Sequence, residues 1–306
     1  FASTAHVICY HGAKPVFVDV EPDTFNIDPS KIPVKINKRT KAILPVHFGG
    51  QPAEMDDILD VAAKDKLFVM EDAAHALGSV YRNRRIGSIG DITCFSFYAT
   101  KNITTAEGGM AVTDNAEWAR RMRILTMYGI SDAREIWQDR YSKHGDIHHD
   151  IVELGYKCNM TDICAALGIQ QFKRIDYFIK IRERFARIYD KAFGGHPAFS
   201  IPVIRPYVKS ARHLYPLLLN LDYLDISRDD LVNKLKDNNV GASVLFRPLH
   251  LHSYYVKTLK HKSGDFPVAE SLFERVVCLP ISPKLGEASI RKTAETVLWL
   301  AERFKR

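Results

Sequence analysis

The sequence predicts an α/β fold, with a mainly parallel central sheet flanked by helices and a smaller C-terminal α/β domain after it. Three observations lead there. Short apolar runs alternate with stretches of helical period through the first half of the chain, which is the pattern of strands joined by crossover helices. A long helical pattern then runs to Phe193 and is cut by GGHPAF, after which strand and helix signals resume. The chain has 306 residues with 46% hydrophobic content, enough for one large core and a second, smaller one. The expected division is 1–193 and 194–306.

Taken in order, KPVFVDV (14–20) and KAILPVHF (41–48) read as strands and AEMDDILDVAAKD (53–65) as a helix. LFVMED (67–72) and ITCFSFY (92–98) are apolar runs of the length expected for buried parallel strands. GMAVTD leads into a helix over NAEWARRMRILTMYG, for which Asp114 and Asn115 are candidate N-caps. From Ser131 to Glu153 the pattern gives way to a polar stretch of the kind that is usually functional or mobile. Helical period returns from Thr161 to Phe193. HLYPLLLNL, SRDDLVNKLKDNN, ASVLF and a final helix near Ser289 to Lys305 build the second unit.

Composition excludes several classes. Cys9, Cys94, Cys158, Cys164 and Cys278 form no CxxC pair and are odd in number, so neither a disulfide framework nor a zinc knuckle is indicated, and a reducing, cytoplasmic setting fits. No apolar stretch approaches the roughly 18 residues that span a bilayer, and no signal-peptide pattern opens the chain. The formal charge of +7 suits an anionic partner such as a nucleotide diphosphate. Its basic residues are interleaved with acids, as in Arg182, Glu183, Arg184 and Arg187, which is the look of solvated helix faces and not of a nucleic-acid surface. His144, His148 and His149 in the polar stretch lack the spacing of metal ligands.

The chemistry is carried by Asp72, at the end of FVMED, and Lys101, just beyond CFSFYAT. Both lie at the C-terminal ends of expected strands, where open α/β sheets bind ligands. A carboxylate beside a pyridine nitrogen and an amine that forms a Schiff base with an aldehyde are the two anchors of a pyridoxal phosphate site. Ser96, five residues before Lys101, offers a hydroxyl to the cofactor phosphate, and Gly108 and Gly109 allow a tight turn before the next strand.

GAKPVFVDVEPDTFNIDP, ILPVHFGGQPAEMD, EDAAHALGS, GSIGDITCFSFYATKNITTAEGGM, LGYKCNMTDICAALG and FRPLHLHSYY, in that order, make the chain resemble the DegT/StrS-type sugar aminotransferases over nearly its whole length. The resemblance implies a fold-type I pyridoxal phosphate-dependent transferase. It would move an amino group from an amino acid, glutamate by family habit, to a nucleotide-linked keto sugar by way of pyridoxamine phosphate, within cell-envelope or polysaccharide biosynthesis. It implies Lys101 as anchor and base, His75 near the cofactor ring or its phenolic oxygen, and Phe1 stacked on that ring. It further implies a homodimer with shared active sites, in which Lys157 or Asn159 of a neighbouring subunit reaches the phosphate. Lys157 stands where the family has asparagine. Arg247 and His250 are the implied substrate-side residues, with Arg247 suited to the donor carboxylate. A segment ahead of Phe1, with a phosphate-binding turn, is also implied, so that the chain reads as N-terminally incomplete. Family members that dehydrate sugars carry histidine in place of the lysine, and Lys101 argues against that branch. LGYKCNMTD and LFRPLHLHSYY lean towards amination at C4 of a UDP-linked sugar. The alternative is a cofactor-binding regulatory or inactive relative. A desulfurase would need a reactive cysteine on a mobile loop, and none stands out.

Overall fold

In the computed structural model the structure describes residues 1–131 and 150–306, so His144, His148 and His149 lie outside the described residues. The main sheet contains β1 (Ala42–Ile43), β2 (Phe68–Asp72), β5 (Ile92–Ser96) and β6 (Gly109–Val112) in the order β1-β2-β5-β6. Between β2 and β5 the chain makes the small strands β3 (Val80–Tyr81) and β4 (Arg84–Arg85), which join β8 (Val208–Lys209) in a separate antiparallel sheet. β1 runs parallel to β2 and β2 parallel to β5, while β6 returns antiparallel on β5.

Helix Met55–Asp65 links β1 to β2 as the apolar period predicts, burying Met55, Ile58 and Ala62 on one face. Lys66 ends it in the left-handed conformation. Helix Ala116–Thr126 starts at Asn115, whose side chain accepts from Trp118 N, so Asn115 and not Asp114 is the N-cap. The long pattern from Thr161 is two helices, Asp162–Phe172 and Ile175–Phe193. They separate where the Gln171 side chain brackets the Thr104 backbone, accepting from its N–H at 3.1 Å and donating to its carbonyl at 2.8 Å.

Two expected strands are absent. KPVFVDV pairs only through Val20, which bridges Ile27, and its Asp19 accepts from the backbone N–H of Val268 and Ala269 at the start of helix Pro267–Arg275. ASVLF likewise contributes a single bridge, Ser243 to Cys278. Helix Ala2–Tyr10, by contrast, forms where the sequence reading assigned nothing.

The C-terminal sheet is antiparallel, with order β10-β9-β7 over Val276–Leu279, Tyr215–Leu219 and Phe199–Ser200. Its core gathers Leu217, Leu219, Val277 and Leu279 with Leu231 and Leu235 of helix Arg228–Asp237 and Ile290, Val297 and Leu300 of helix Gly286–Arg303. Helix Ile175–Phe193 serves both cores, since Ile175 and Ile179 pack with Phe97 and Ile103 while Phe185, Tyr189 and Phe193 enter the C-terminal core. Among the described residues no helix is long and apolar enough to cross a membrane.

The loop 47–51 ties the sheet to the segment around residue 211. Gly50 has φ +96°, and a Cβ there would lie 2.9 Å from Arg212 N and 3.1 Å from the His75 carbonyl oxygen. Gly50→Ala is expected to destabilise the fold by about 1–3 kcal/mol through strain at a backbone that has no room to shift. A thermal midpoint equal to that of the wild type would contradict this close approach.

Candidate active site

β2 ends in two acids that alternation sends to opposite faces of the sheet. Glu71 is buried with His47. His47 Nε2 lies 2.8 Å from Glu71 Oε2, and Glu71 Oε1 accepts from Thr93 Oγ1 at 2.7 Å and Gly90 N at 2.8 Å. Ala53 N donates to His47 Nδ1 at 3.0 Å, so Nε2 carries the proton directed at Glu71. The backbone N–H of His47 also donates to Asp72 O at 3.1 Å. One residue thus grips the side chain of Glu71 and the main chain of Asp72. Burial alone would raise the Glu71 pKa, but the His47 hydrogen bond and charge, with the Thr93 and Gly90 bonds, hold it below the ordinary value. The stability this contributes is present above the unfolded value of about 4.3 and is lost as pH falls through the lower folded value. Glu71→Gln is expected to cost about 1–2 kcal/mol at pH 7 and to flatten this acid dependence. Urea unfolding at pH 7 and in acid checks both, and an unchanged acid limb would contradict it.

Asp72 faces the other way. Its Oδ2 accepts from Thr4 Oγ1 at 2.6 Å and its Oδ1 from Ala74 N at 3.0 Å. Asp72 is in register with Cys94, so Asp72, Cys94 and, two residues on, Ser96 share one face of the sheet. Ser96 Oγ accepts from Tyr98 N at 3.3 Å, and Lys101 N closes a turn on Tyr98 O at 2.9 Å. That turn returns Lys101 to Asp72. Burial lowers the Lys101 pKa below the ordinary lysine value, and the Asp72 carboxylate opposes the shift.

His75 is buried beside them. Its Nδ1 accepts from Gly49 N at 3.3 Å, and its ring lies 4.3 Å from that of His213 and 6.3 Å from that of Phe246, nearly parallel to the latter. Phe1 sits 5.6 Å from Phe246. Burial, with the Lys101 charge adding to it, pushes the His75 pKa down to about 3. The structure therefore brings Phe1, Asp72, His75, Ser96 and Lys101 to one end of the sheet. It adds Thr4, His213 and Phe246, which sequence reasoning did not place there, and gives a contact to Asn102, which the sequence puts at the flank of the site without a role.

The remaining sequence candidates lie elsewhere. Lys157 is exposed and Asn159 half-buried, Lys157 Nζ donates to Asn159 Oδ1, and Lys157 lies over the Tyr128 ring at 5.6 Å. Arg247 is an exposed-side residue whose Nη2 donates to Leu251 O at 2.9 Å. His250 requires a correction. It is 3% exposed, its Nε2 is 2.8 Å from Glu270 Oε1, and its ring packs on Phe266 at 4.7 Å. Glu270 also accepts from Ser263 Oγ and the Gly264 N–H, so His250 belongs to a buried loop clamp and does not face a substrate. Among the described residues no group of three or more His, Cys, Asp or Glu side chains could hold a metal ion.

The gathered groups suit pyridoxal phosphate: a hydrogen-bonded carboxylate, a half-buried amine beside it, a neutral buried imidazole and aromatic rings alongside. Comparison with known proteins agrees. A profile of the DegT/DnrJ/EryC1/StrS aminotransferase family matches residues 1–298. The spore coat polysaccharide biosynthesis protein SpsC of Bacillus subtilis is 45% identical over 298 residues, covering 97% of this chain and 76% of its own. The UDP-4-amino-4,6-dideoxy-N-acetyl-beta-L-altrosamine transaminase of Campylobacter jejuni is 33% identical over 311 residues, covering 100% and 78%. Among solved structures, Spr1654 of Streptococcus pneumoniae in its PMP form superposes with a TM-score of 0.91 at 32% identity, over 99% of this chain and 80% of that one. With its mainly parallel sheet, its fold-type I architecture and this match along its length, the chain belongs to the DegT/DnrJ/EryC1/StrS aminotransferase family and is a pyridoxal phosphate-dependent sugar aminotransferase.

Proposed function

We propose that the chain moves an amino group from glutamate to C4 of a UDP-linked keto sugar, in a homodimer with shared active sites. The observation that carries the reading is the convergence of Asp72, His75 and Lys101 at one end of the sheet, with Lys101 shifted towards its neutral form by burial. When bound, the cofactor supplies a carbonyl for amine exchange and an electron-withdrawing ring. Lys101 Nζ would hold it and would serve as the base that takes and returns the proton at the substrate carbon. The Asp72 carboxylate is oriented by Thr4 Oγ1 and Ala74 N–H and would hold the cofactor at its ring nitrogen. His75 would donate Nε2–H to the cofactor, Phe1 would pack against it, and Ser96 would hold its phosphate. Arg247 meets the donor carboxylate, leaving His250 out of the substrate set.

The C4 position and the UDP group draw support from the Campylobacter jejuni relative, and a place in envelope polysaccharide synthesis from SpsC. Support for the dimer comes from helix Asp162–Phe172, which has no buried residue and exposes Ile163 to 84%, and from Leu154, exposed to 95%. In that dimer Lys157 or Asn159, between Leu154 and this helix in sequence, would reach the phosphate of the neighbouring copy. The free state of all five cysteines suits a cytoplasmic setting, and the division at 193/194 remains our proposed domain boundary. The test is transfer of 15N from labelled glutamate to a UDP-linked 4-keto sugar by the full-length protein with pyridoxal phosphate, read by mass spectrometry. Label in the sugar supports the reading. Oxoglutarate release without labelled sugar would contradict the acceptor, and absence of both would contradict the donor.

A further inference from the structure

Two imidazoles pack against each other beside Lys101, and the proposed chemistry uses only one of them. The second, His213, comes from the segment that follows β8, far along the chain from His75. Its Nδ1 is 3.1 Å from Asn102 Oδ1. The orientation of that amide is fixed by a separate contact, since Asn102 Nδ2 donates to Ala211 O at 2.9 Å and a carbonyl can only accept. Asn102 Oδ1 is therefore the acceptor, and the proton of neutral His213 sits on Nδ1.

His75 has the reverse arrangement. Gly49 N–H donates to its Nδ1, so neutral His75 carries its proton on Nε2. Among the described residues no hydrogen bond uses the Nε2 of either ring. Both rings hang on the same loop, because His213 N donates to Gly49 O at 2.9 Å. The main chain of His213 is held further by the buried Arg182, whose Nη1 donates to Arg212 O at 3.3 Å and His213 O at 3.2 Å.

We propose that His213 is a positioning residue for transamination: locked by Asn102 and packed on His75, it keeps His75 neutral, with Nε2–H as the donor offered to the cofactor. This rests on placing His75 in the cofactor site. The groups that face the two rings agree with it. His75 faces Lys101 and His213, while His213 faces His75, Lys101 and Arg182. None of these stabilises an imidazolium, and burial followed by these neighbours lowers both histidines. A charged His75 would place a second cation beside Lys101 and compete with it for Asp72. A neutral His75 can donate without doing so. Asn102 directly follows Lys101, so the same amide that sets His213 also ties the lysine turn to the segment at 211–213.

The test is a pH titration of 15N-histidine-labelled full-length protein without cofactor, read from long-range 1H–15N couplings. The wild type is expected to show His75 neutral with Nε2–H, and His213 with Nδ1–H, from pH 8 down to pH 5.5, about one unit below the ordinary histidine value. His213→Ala removes the covering ring, and His75 is expected to titrate within about one unit of 6.5. His213→Phe keeps a ring over His75 without the Asn102 bond, and its His75 is expected to stay neutral over the same range. Should His213→Ala not fold, Asn102→Asp sets a carboxylate against His213 Nδ1–H and is expected to raise the titration of His213 while that of His75 falls. A wild-type His75 that titrates near 6.5, that carries its proton on Nδ1, or that is indifferent to both His213→Ala and Asn102→Asp would overturn the proposal. Because the readout needs no cofactor, its failure leaves the amino-transfer reading standing, and failure of amino transfer leaves the tautomers to be decided here.

Discussion

Lys101→Ala is expected to lower amino transfer about 10⁴-fold, at the upper end of what a positioned acid–base group contributes, while the protein remains folded. The side chain is only half-buried and makes no hydrogen bond that the fold depends on, so its removal should leave the thermal midpoint nearly unchanged. The loss has two sources, the attachment point of the cofactor and the base that moves the proton. Lys101→Arg separates charge from chemistry, since a guanidinium keeps the cation but does not give up its proton in a protein. It is expected to be as inactive as the alanine variant. Single-turnover kinetics with an amino donor measure both, and an alanine variant within tenfold of wild type would remove Lys101 from the role of base.

Asp72→Ala is expected to reduce turnover about 10³-fold, the scale of removing one preorganised electrostatic contact at a reacting group. It also leaves Thr4 Oγ1 and Ala74 N–H without their acceptor. The Asp72 carboxylate is the favourable charge that opposes the burial of Lys101, so without it the ammonium of the cofactor-free protein should lose its proton at still lower pH. Asp72→Asn keeps an acceptor for one or both neighbours but not the charge. If asparagine restored turnover to near wild type, Asp72 would be a structural hydrogen-bond acceptor and not the electrostatic partner of the ring nitrogen.

Much of this centre is legible in the sequence because its framework is local. FVMED and ITCFS become β2 and β5 as their apolar runs predict, and the residues placed at their ends follow from alternation alone. The helix Met55–Asp65 follows from its period in the same way. KPVFVDV has an equally apolar pattern and yet forms no strand. Its Phe17 packs against Tyr255 and Phe266 and its Asp19 caps a helix some 250 residues on, so long-range partners take up the segment that local pattern assigns to a ladder.

The distant partners of the site are illegible for the same reason. Thr4 reaches Asp72 across 68 positions, and His213 reaches Asn102 across 111. Nothing in FASTA or ARHLY announces either contact. His250 misleads in the opposite direction, because a histidine beside tyrosines in an apparently open cluster turns out to be committed to Glu270. Resemblance to a family supplies the chemistry at Asp72 and Lys101, whereas the supports around them become visible only when the chain is folded.

The measurement that bears most directly on the central assignment is the absorbance spectrum of the full-length protein with pyridoxal phosphate, before and after glutamate, beside Lys101→Ala. The assignment predicts a long-wavelength band from the lysine–cofactor linkage that disappears as glutamate is converted to oxoglutarate, and no such linkage in the variant. A band that persists with glutamate and every other amino donor, or one that survives unchanged in Lys101→Ala, would contradict it.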